Sequence, residues 1–491
     1  MRVQGNRRQR KTAAAGLHAR LNEQVTLEAD ADGNVAAGLD GQVLERTKLG
    51  AGAAKRALAL RTGLPVRSLA SPRGAIDKEI ALLVRRLARR GLLEYGLSRA
   101  HGRGELVVIE PQIEDYWPQT AKLGANDTVA LSRFAYLRRR GTDLVLESPR
   151  APALFRIDDP KTVAAITGLS RPQRIADLRR RRGFVGLELL GLLLDCNIIF
   201  KVAAGSEGLR SSEGDANLVV WDFHDLLFHA RSTEGRHANP MGGRYAFVGV
   251  IPPPPAVGSR LAGPEIDLQQ FTASSVEPIS PFINLLRERH STRDFDSARP
   301  ITIAELAKFL HHAARVQWKW TTPLDFGDGS FGPEVDYTRR PYPSAGASYE
   351  LELYLAVANC EGLEKGFYHY DADRHALVSI QVRAQELARL LASAQFAMGA
   401  AAPPQILITI AARFNRVSWK YSAIAYSLIL KDVGVLLQTL YLTATDLDLG
   451  GCAIGTCNID LLSKMTGQEF HVEGPVGQFA LGRAAGVGDA A

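Results

Sequence analysis

The chain has 491 residues, 46% of them hydrophobic and 23% charged, with a formal net charge of +7. That is room for about three domains of ~150 residues, each able to bury a core, and the composition is that of an ordinary globular protein rather than a disordered or fibrous one. No apolar run approaches the ~20 uncharged residues of a membrane helix; the longest, Val185 to Val202, is broken by Glu188, Asp195 and Asn197.

The basic N-terminus Met1 to Lys11 lacks the apolar segment of a secretory signal, so the expectation is a cytoplasmic protein with no membrane partner. Val25 to Leu39 reads as a hairpin. Ala53 to Thr62 predicts a helix, Gly63 to Ser71 a turn, and Lys78 to Gly91 a second helix. In the latter Ile80, Leu82, Leu83, Leu87 and Leu92 form an apolar stripe opposite Arg85, Arg86, Arg89 and Arg90. Glu105 to Glu110 then predicts a strand in the position of a wing, giving the layout of a winged helix-turn-helix over residues 1–118. A second, weaker copy is expected over 119–230. It would comprise strands at Ala130 to Tyr136 and Asp143 to Glu147, helices at Pro160 to Ile166, Gln173 to Arg180 and Val185 to Leu194, and a strand at Ile198 to Val202. Arginine runs such as Arg86 to Arg90 and Arg179 to Arg182 suit nucleic acid or an acidic peptide, or are solvated helix faces.

Residues 231–280 read as a linker, flanked by a Gly/Ser/Glu-rich stretch at 205–214 and containing the proline run Pro252 to Pro255. Just before it, Trp221, Leu226, Leu227 and Phe228 predict a helix. Asp222, His224, Asp225 and His229 lie on it, and packing and capping roles are expected for them in preference to metal ligation. From 281 to 491 helices alternate with strands and a hairpin (Gly366 to Tyr370 with Ala376 to Ile380), which predicts an α+β domain. Its other elements are helices at Ile283 to Glu288, Thr302 to Ala314, Ala384 to Ser393 and Tyr421 to Asp446, and strands at Leu351 to Ala358, Gln405 to Ala411 and Gln478 to Gly482. No Walker sequence occurs, and the order of helices and strands is not that of a doubly wound sheet, which disfavours P-loop and Rossmann nucleotide sites.

Four segments of this domain carry chemistry. Leu286 to Phe295, LRERHSTRDF, sets arginines and His290 around Ser291 and Thr292, a pattern suited to phosphate because guanidinium forks and small hydroxyls both match its oxygens. Arg340 to Ser348 is a rigid loop of small residues able to lie against a planar ring or cradle a phosphate. Trp419-Lys420-Tyr421 heads the expected long helix. LGGCAIGT, Leu449 to Thr456, reads as a glycine turn open to close ligand approach. The cysteines Cys196, Cys360, Cys452 and Cys457 lack the spacing of a metal site or a redox CxxC, and Cys452 and Cys457 are expected to be small core residues. Trp318, Trp320 and Phe326 would either lid the site or cover the sheet.

In this order the segments resemble the nitroreductase superfamily, and within it the SagB-type FMN-dependent dehydrogenases that oxidise azolines to azoles in peptides. Arg289, His290, Ser291, Arg293 and Phe295 match the opening motif, and Tyr342-Pro343-Ser344-Ala345-Gly346 the subgroup's proline-serine-glycine loop. Tyr368 to Asp371 matches its YHYD hairpin, Lys420 and Tyr421 its Lys-Tyr pair, and Gly450 to Gly455 its late glycine turn, the whole covering residues 281–485. The two N-terminal modules are similar to the peptide-binding extensions of cyanobactin-type oxidases.

The resemblance implies FMN held at its phosphate by Arg289 and Arg293, with His290 and Ser291 beside them and Arg483 as a weaker contributor. It implies Pro343, Ser344, Ala345 and Gly346 against the ring, and the Gly450 and Gly451 backbone near its reactive edge. Lys420 and Tyr421 are implied as the proton-transfer pair. The partners implied are an azoline-containing precursor peptide, its cyclodehydratase and a second copy of the chain in a homodimer whose seam includes Ile424, Leu428, Val435 and Leu436. Two other readings stay open: an NAD(P)H-dependent nitro or quinone reductase, and a flavin-linked regulator that binds DNA.

Overall fold

The computed structural model describes residues 16–30, 32–39, 42–99, 104–203, 212–236, 248–257, 263, 265–271 and 280–485. The basic N-terminus Met1 to Lys11, most of the 205–214 stretch and much of the expected linker lie outside them.

The two expected N-terminal helices form close to their places, at Ala51–Ala57 and Ala75–Arg89, whereas the stretch read as a turn, Gly63 to Ser71, carries a further short helix, Val66–Ala70. Of the expected stripe Ile80, Leu83, Leu87 and Leu92 are buried, joined by Val84, whereas Leu82 is exposed, lying off the face that the helical period turns to the core. The arginines opposite it are held internally: Arg86 and Arg90 reach Glu45, Arg89 reaches Asp115, and Arg85 lies 3.7 Å above the Trp117 ring. Of the second set, the helix expected from Gln173 to Arg180 is only the single turn Ile175–Leu178, whereas Pro160–Thr167 and Leu187–Asp195 form as expected. Strands from both sides of the boundary expected at 118/119 join in one seven-stranded sheet. Its order is Leu64–Pro65, Leu17–Leu21, Leu93–Ser98, Glu105–Pro111, Ala153–Arg156, Asp143–Glu147, Tyr136–Arg140. Pairing of Glu105–Pro111 with Ala153–Arg156 closes two edges that separate modules would leave open.

The C-terminal region is built on a six-stranded antiparallel sheet in the order Ala376–Ile380, Gly366–Asp371, Leu351–Val357, Ile406–Arg413, Glu473–Gly482, Gly450–Ile454. Both faces are covered, so its central strands are apolar at successive positions. Leu353 and Leu355 pack with Ile429, Val433, Leu436 and Leu440 of the long helix Ala425–Asp446 and with Phe309 of Ile303–Ala314. Tyr354 and Ala356 face Leu387 and Leu390 of Ala384–Met398 and Leu461 and Leu462 of Ile459–Thr466. The fold is α+β. Helix Ile303–Ala314 is started by a Thr302/Glu305 capping box, and Ala384–Met398 is stopped by Gly399 in the left-handed region. The long helix is the one described helix long and apolar enough to cross a bilayer, a run the apolar-stretch reading passed over because Lys431 and Asp432 interrupt it.

Two features were not expected. Trp318–Asp325 and Phe331–Arg339 form a hairpin that covers no sheet, with Trp318 67% and Phe326 59% exposed. Segment 215–236, placed at the end of the second module and the start of the linker, packs into the C-terminal core. The helix Phe223–Ser232 forms as expected, and Trp221 and Leu226 are buried with Phe414 and Tyr426. The Trp221 indole N–H donates to the His471 carbonyl at 2.7 Å, and Arg236 pairs with Asp460 at 2.7 Å. Asp222 caps the helix through the His224 N–H, and His229 is buried at 3.1 Å from the Tyr426 hydroxyl, where burial pushes its imidazole down to about 4 and keeps it neutral.

Candidate functional site

The turn after helix Pro281–Glu288 is fastened on three sides. The Thr292 N–H donates to the Gly451 carbonyl at 2.8 Å, Phe295 bridges Ala484, and Ser291 Oγ lies 2.8 Å from the Tyr441 hydroxyl, which itself accepts from the Ala453 N–H at 2.8 Å. Gly450 and Gly451 are therefore the edge strand against which the turn is laid, not the glycine turn expected. Their missing side chains matter for close approach. A Cβ on Gly450 would sit 2.6 Å from Thr292 Cγ2, and one on Gly451 2.3 Å from the Phe479 ring.

Arg289 lies 5.2 Å over the Tyr441 ring, and Arg293 is exposed beside Cys452, where its charge opposes the burial that pushes that thiol up. Among the described residues no carboxylate pairs with Arg289 or Arg293. Two uncompensated guanidiniums beside the Ser291 hydroxyl fit a phosphate. His290 is exposed, its Nδ1 2.9 Å from the Glu288 carbonyl. The Arg483 guanidinium is taken by Glu305 at 2.6 Å, so Arg483 meets the turn through its backbone carbonyl, which accepts from the Asp296 N–H.

The loop at Arg340 to Ser348 is anchored by the buried Tyr342 and by Arg340 donating to the Leu351 carbonyl at 3.0 Å. Pro343 and Gly346 are exposed at its tip. Ser344 Oγ and the Ala345 N–H both donate to Asp432 of the long helix, at 2.9 and 2.8 Å. Gly346, Ala347 and Tyr349 have φ of 57°, 55° and 43°, so the loop turns through left-handed backbone that only glycine adopts without strain.

Lys420 and Tyr421 are not on the long helix, which begins at Ala425. They occupy a turn between it and Phe414–Ser418, closed by the Lys420 and Tyr421 N–H groups donating to the Val417 carbonyl. Consecutive helical residues diverge by ~100°, whereas this turn lets both side chains reach one point. That point is Gly346. A Cβ there would lie 2.5 Å from the Tyr421 hydroxyl and 2.6 Å from Lys420 Nζ, and Lys420 donates to the Gly346 carbonyl at 3.4 Å. The structure thus brings together the proline loop with the Lys-Tyr pair, and the arginine turn with the glycine strand. The long helix touches both assemblies, through Asp432 and Tyr441, which stand ~13 Å apart along its axis. The YHYD hairpin forms the outer two strands of the six-stranded sheet, with His369 3.2 Å from Glu352 and Tyr370 2.8 Å from His375.

Three residues of this site escaped the sequence reading: Tyr441, Asp432 and Glu350. Asp432 had a signal, being a carboxylate on the buried stripe of an otherwise apolar helix, and Glu350 another, standing at the mouth of an apolar strand.

Residues 286–483 match the model of the nitroreductase family. The chain is also 30% identical over 189 residues to MJ1384 of Methanocaldococcus jannaschii, a protein named for the nitroreductases, covering 85% of that protein and 38% of this one. The chain belongs to the nitroreductase family. It is a flavin-dependent oxidoreductase. Residues 129–238 match a second model, that of the cyanobactin oxidase ThcOx, a span that includes the interlocking segment at Trp221. Among solved structures, a nitroreductase of Ralstonia eutropha is similar at 22% identity and a TM-score of 0.32, over 48% of this chain and 95% of its own. The E. coli microcin synthetase McbBCD complex with truncated pro-MccB17 contains a chain similar at 22% identity and a TM-score of 0.36, over 55% of this chain and 96% of its own. An FMN-bound nitroreductase from Desulfovibrio desulfuricans is similar at 12% identity and a TM-score of 0.27, over 44% and 92%.

Proposed function

We propose that this oxidoreductase uses FMN to dehydrogenate thiazoline or oxazoline rings of a ribosomally made peptide to thiazoles or oxazoles. The observation that carries the reading is the convergence of Lys420 and Tyr421 on the Gly346 turn, because a simple flavin reductase needs no such pair. Aromatising an azoline removes a proton and a hydride. Bound FMN supplies the hydride acceptor. The chain supplies the rest: Arg289 and Arg293 would hold the phosphate with Ser291, Pro343 to Gly346 would lie along the ring, and the Lys420–Tyr421 pair takes the proton from the ring carbon, either Tyr421 as the phenolate beside the lysine charge or Lys420 as the free amine. The test is to incubate the protein with an azoline peptide made by its cyclodehydratase and measure the mass. Loss of two mass units per ring supports the reading. NAD(P)H-driven nitroarene reduction with no change in the peptide would replace it with the reductase reading. The ThcOx-matching segment supports a peptide or cyclodehydratase as the partner of the N-terminal region.

Arg293→Ala should weaken FMN binding by about one to two decades, the worth of one charge-assisted contact at ~1.5–3 kcal/mol. Titration of apo-protein with FMN measures it, and an unchanged Kd would remove Arg293 from the site.

The same reading includes a homodimer. Phe282, Ile283 and Leu286 of helix Pro281–Glu288 are exposed, as are Ile424 and Val435, whereas Leu436 of the expected seam is fully buried in the core and leaves that list. A large apolar surface beside a cofactor site is the composition of an interface. Light scattering should give twice the chain mass, and Phe282→Glu with Leu286→Glu should give the monomer; a monomeric wild type with full FMN occupancy would contradict this.

A further inference from the structure

Beneath the Gly346 turn lies a pair of carboxyls that the reaction does not use directly. Glu350 is fully buried and Asp432 6% exposed, and both reach for one hydroxyl: Ser344 Oγ is 2.9 Å from Asp432 Oδ2 and 3.3 Å from Glu350 Oε2. A serine has one hydrogen to give. The Ser344 oxygen already accepts from the Tyr349 N–H at 2.9 Å, and Asp432 already receives the Ala345 N–H, so the donors in hand satisfy an ionised Asp432 and leave Glu350 short. Glu350 Oε1 has no hydrogen-bond partner. Among the described residues no cation forms an ion pair with it, and Arg416, whose charge it feels, bonds elsewhere. Arg413 goes to Glu352 at 2.9 Å, Arg416 to the Ser348 and Asp336 carbonyls, and Arg340 to the Leu351 carbonyl, while Tyr342 is buried and neutral. Two ionised carboxylates repel at that site, so a proton held between them stabilises it.

We infer that Glu350 is a positioning residue which, protonated, bridges to Asp432 and Ser344 and so holds the Ser344 to Gly346 turn in register with Lys420 and Tyr421. The lever is short. Ser344 is two residues from Gly346, whose surface touches both members of the pair, and the turn's left-handed residues would relax if the clamp let go. Burial pushes the Glu350 carboxyl up to about 7, with the Asp432 charge adding to it. Its folded value is raised above the ordinary carboxylate range. The stabilisation is therefore complete below that ordinary range and is lost as pH rises through about 7, where the second negative charge forms.

This inference rests on the reading that Pro343 to Gly346 lie against FMN, and two readouts separate the two. FMN affinity of the apo-protein and turnover of the azoline peptide are each measured from pH 6 to 8.5 for wild type, Glu350→Gln and Asp432→Asn. The wild type should lose about tenfold in FMN affinity and in kcat across that range. Glu350→Gln, which keeps the shape and cannot ionise, should show flat profiles in both, and Asp432→Asn should flatten them too by removing the repelling charge. Parallel profiles for wild type and Glu350→Gln overturn the inference, and so does a wild type whose FMN affinity is flat. Should Glu350→Gln fail to fold, the Asp432→Asn profile decides in its place. A wild type with no azoline turnover sinks the proposed reaction, while its FMN titration still decides the clamp.

Discussion

Tyr421→Phe and Lys420→Ala are each expected to lose about 10²–10⁴ in azoline turnover, the usual worth of a positioned general base or acid, while the bound-flavin spectrum is unchanged. The separation follows from the geometry. The arginine turn that fits the phosphate is fixed through Tyr441, Gly451 and Ala484, and the Lys-Tyr turn touches the other assembly, at Gly346. A rate loss of that size corresponds to ~3–5 kcal/mol of transition-state stabilisation. Single-turnover reduction of the flavin by the azoline peptide is the measurement, because it reads the chemical step without product release. Full turnover by both variants would remove the pair from the chemistry. Loss of flavin together with rate would instead make Lys420 and Tyr421 supports of the Gly346 turn.

The parts of this site legible in the sequence were those whose chemistry is local. LRERHSTRDF needs no tertiary context to suggest a phosphate, since its cations and hydroxyls are adjacent along the chain. The Gly366 to Tyr370 hairpin and the helix at Ile303–Ala314 are legible for the same reason, since strand, turn and helix patterns are each set by neighbours along the chain. What escaped depends on long-range packing. Gly450 and Gly451 carry a turn-like composition, and only the approach of Thr292 and of the Phe479 ring explains why glycine is needed in an edge strand. Lys420 and Tyr421 head the expected long helix, but Ala423, with φ of 62°, breaks the helical path and the helix begins only at Ala425. Asp432 and Glu350 come together from positions 82 residues apart, and nothing local in either announces the other. The domain boundaries were drawn at composition changes. Strand pairing across 118/119 and the burial of Trp221 obey edge satisfaction and core packing, which composition does not record.

Trp221→Ala should destabilise the flavin-binding region, although Trp221 lies outside the 286–483 span that matches the nitroreductase family. The indole is 2% exposed, 4.6 Å from the Phe414 ring and stacked on His229, and it gives its one N–H to the His471 carbonyl. Removing a buried tryptophan typically costs ~3–5 kcal/mol, most of it cavity and lost contact. Trp221→Phe keeps much of that packing and forfeits chiefly the hydrogen bond, so a loss of about 1–2 kcal/mol is expected. Urea unfolding followed both by flavin release and by far-ultraviolet circular dichroism measures the effect. If the segment at 215–236 is part of the C-terminal core, the flavin-release midpoint falls in both variants, and further in Trp221→Ala. A flavin-release midpoint that stays put while the circular dichroism transition shifts would show the opposite, a segment merely docked on a domain that is stable without it. The size of the fall then measures how far the ThcOx-matching region and the oxidoreductase fold as one cooperative unit, since a residue can destabilise only the structure whose folding buries it.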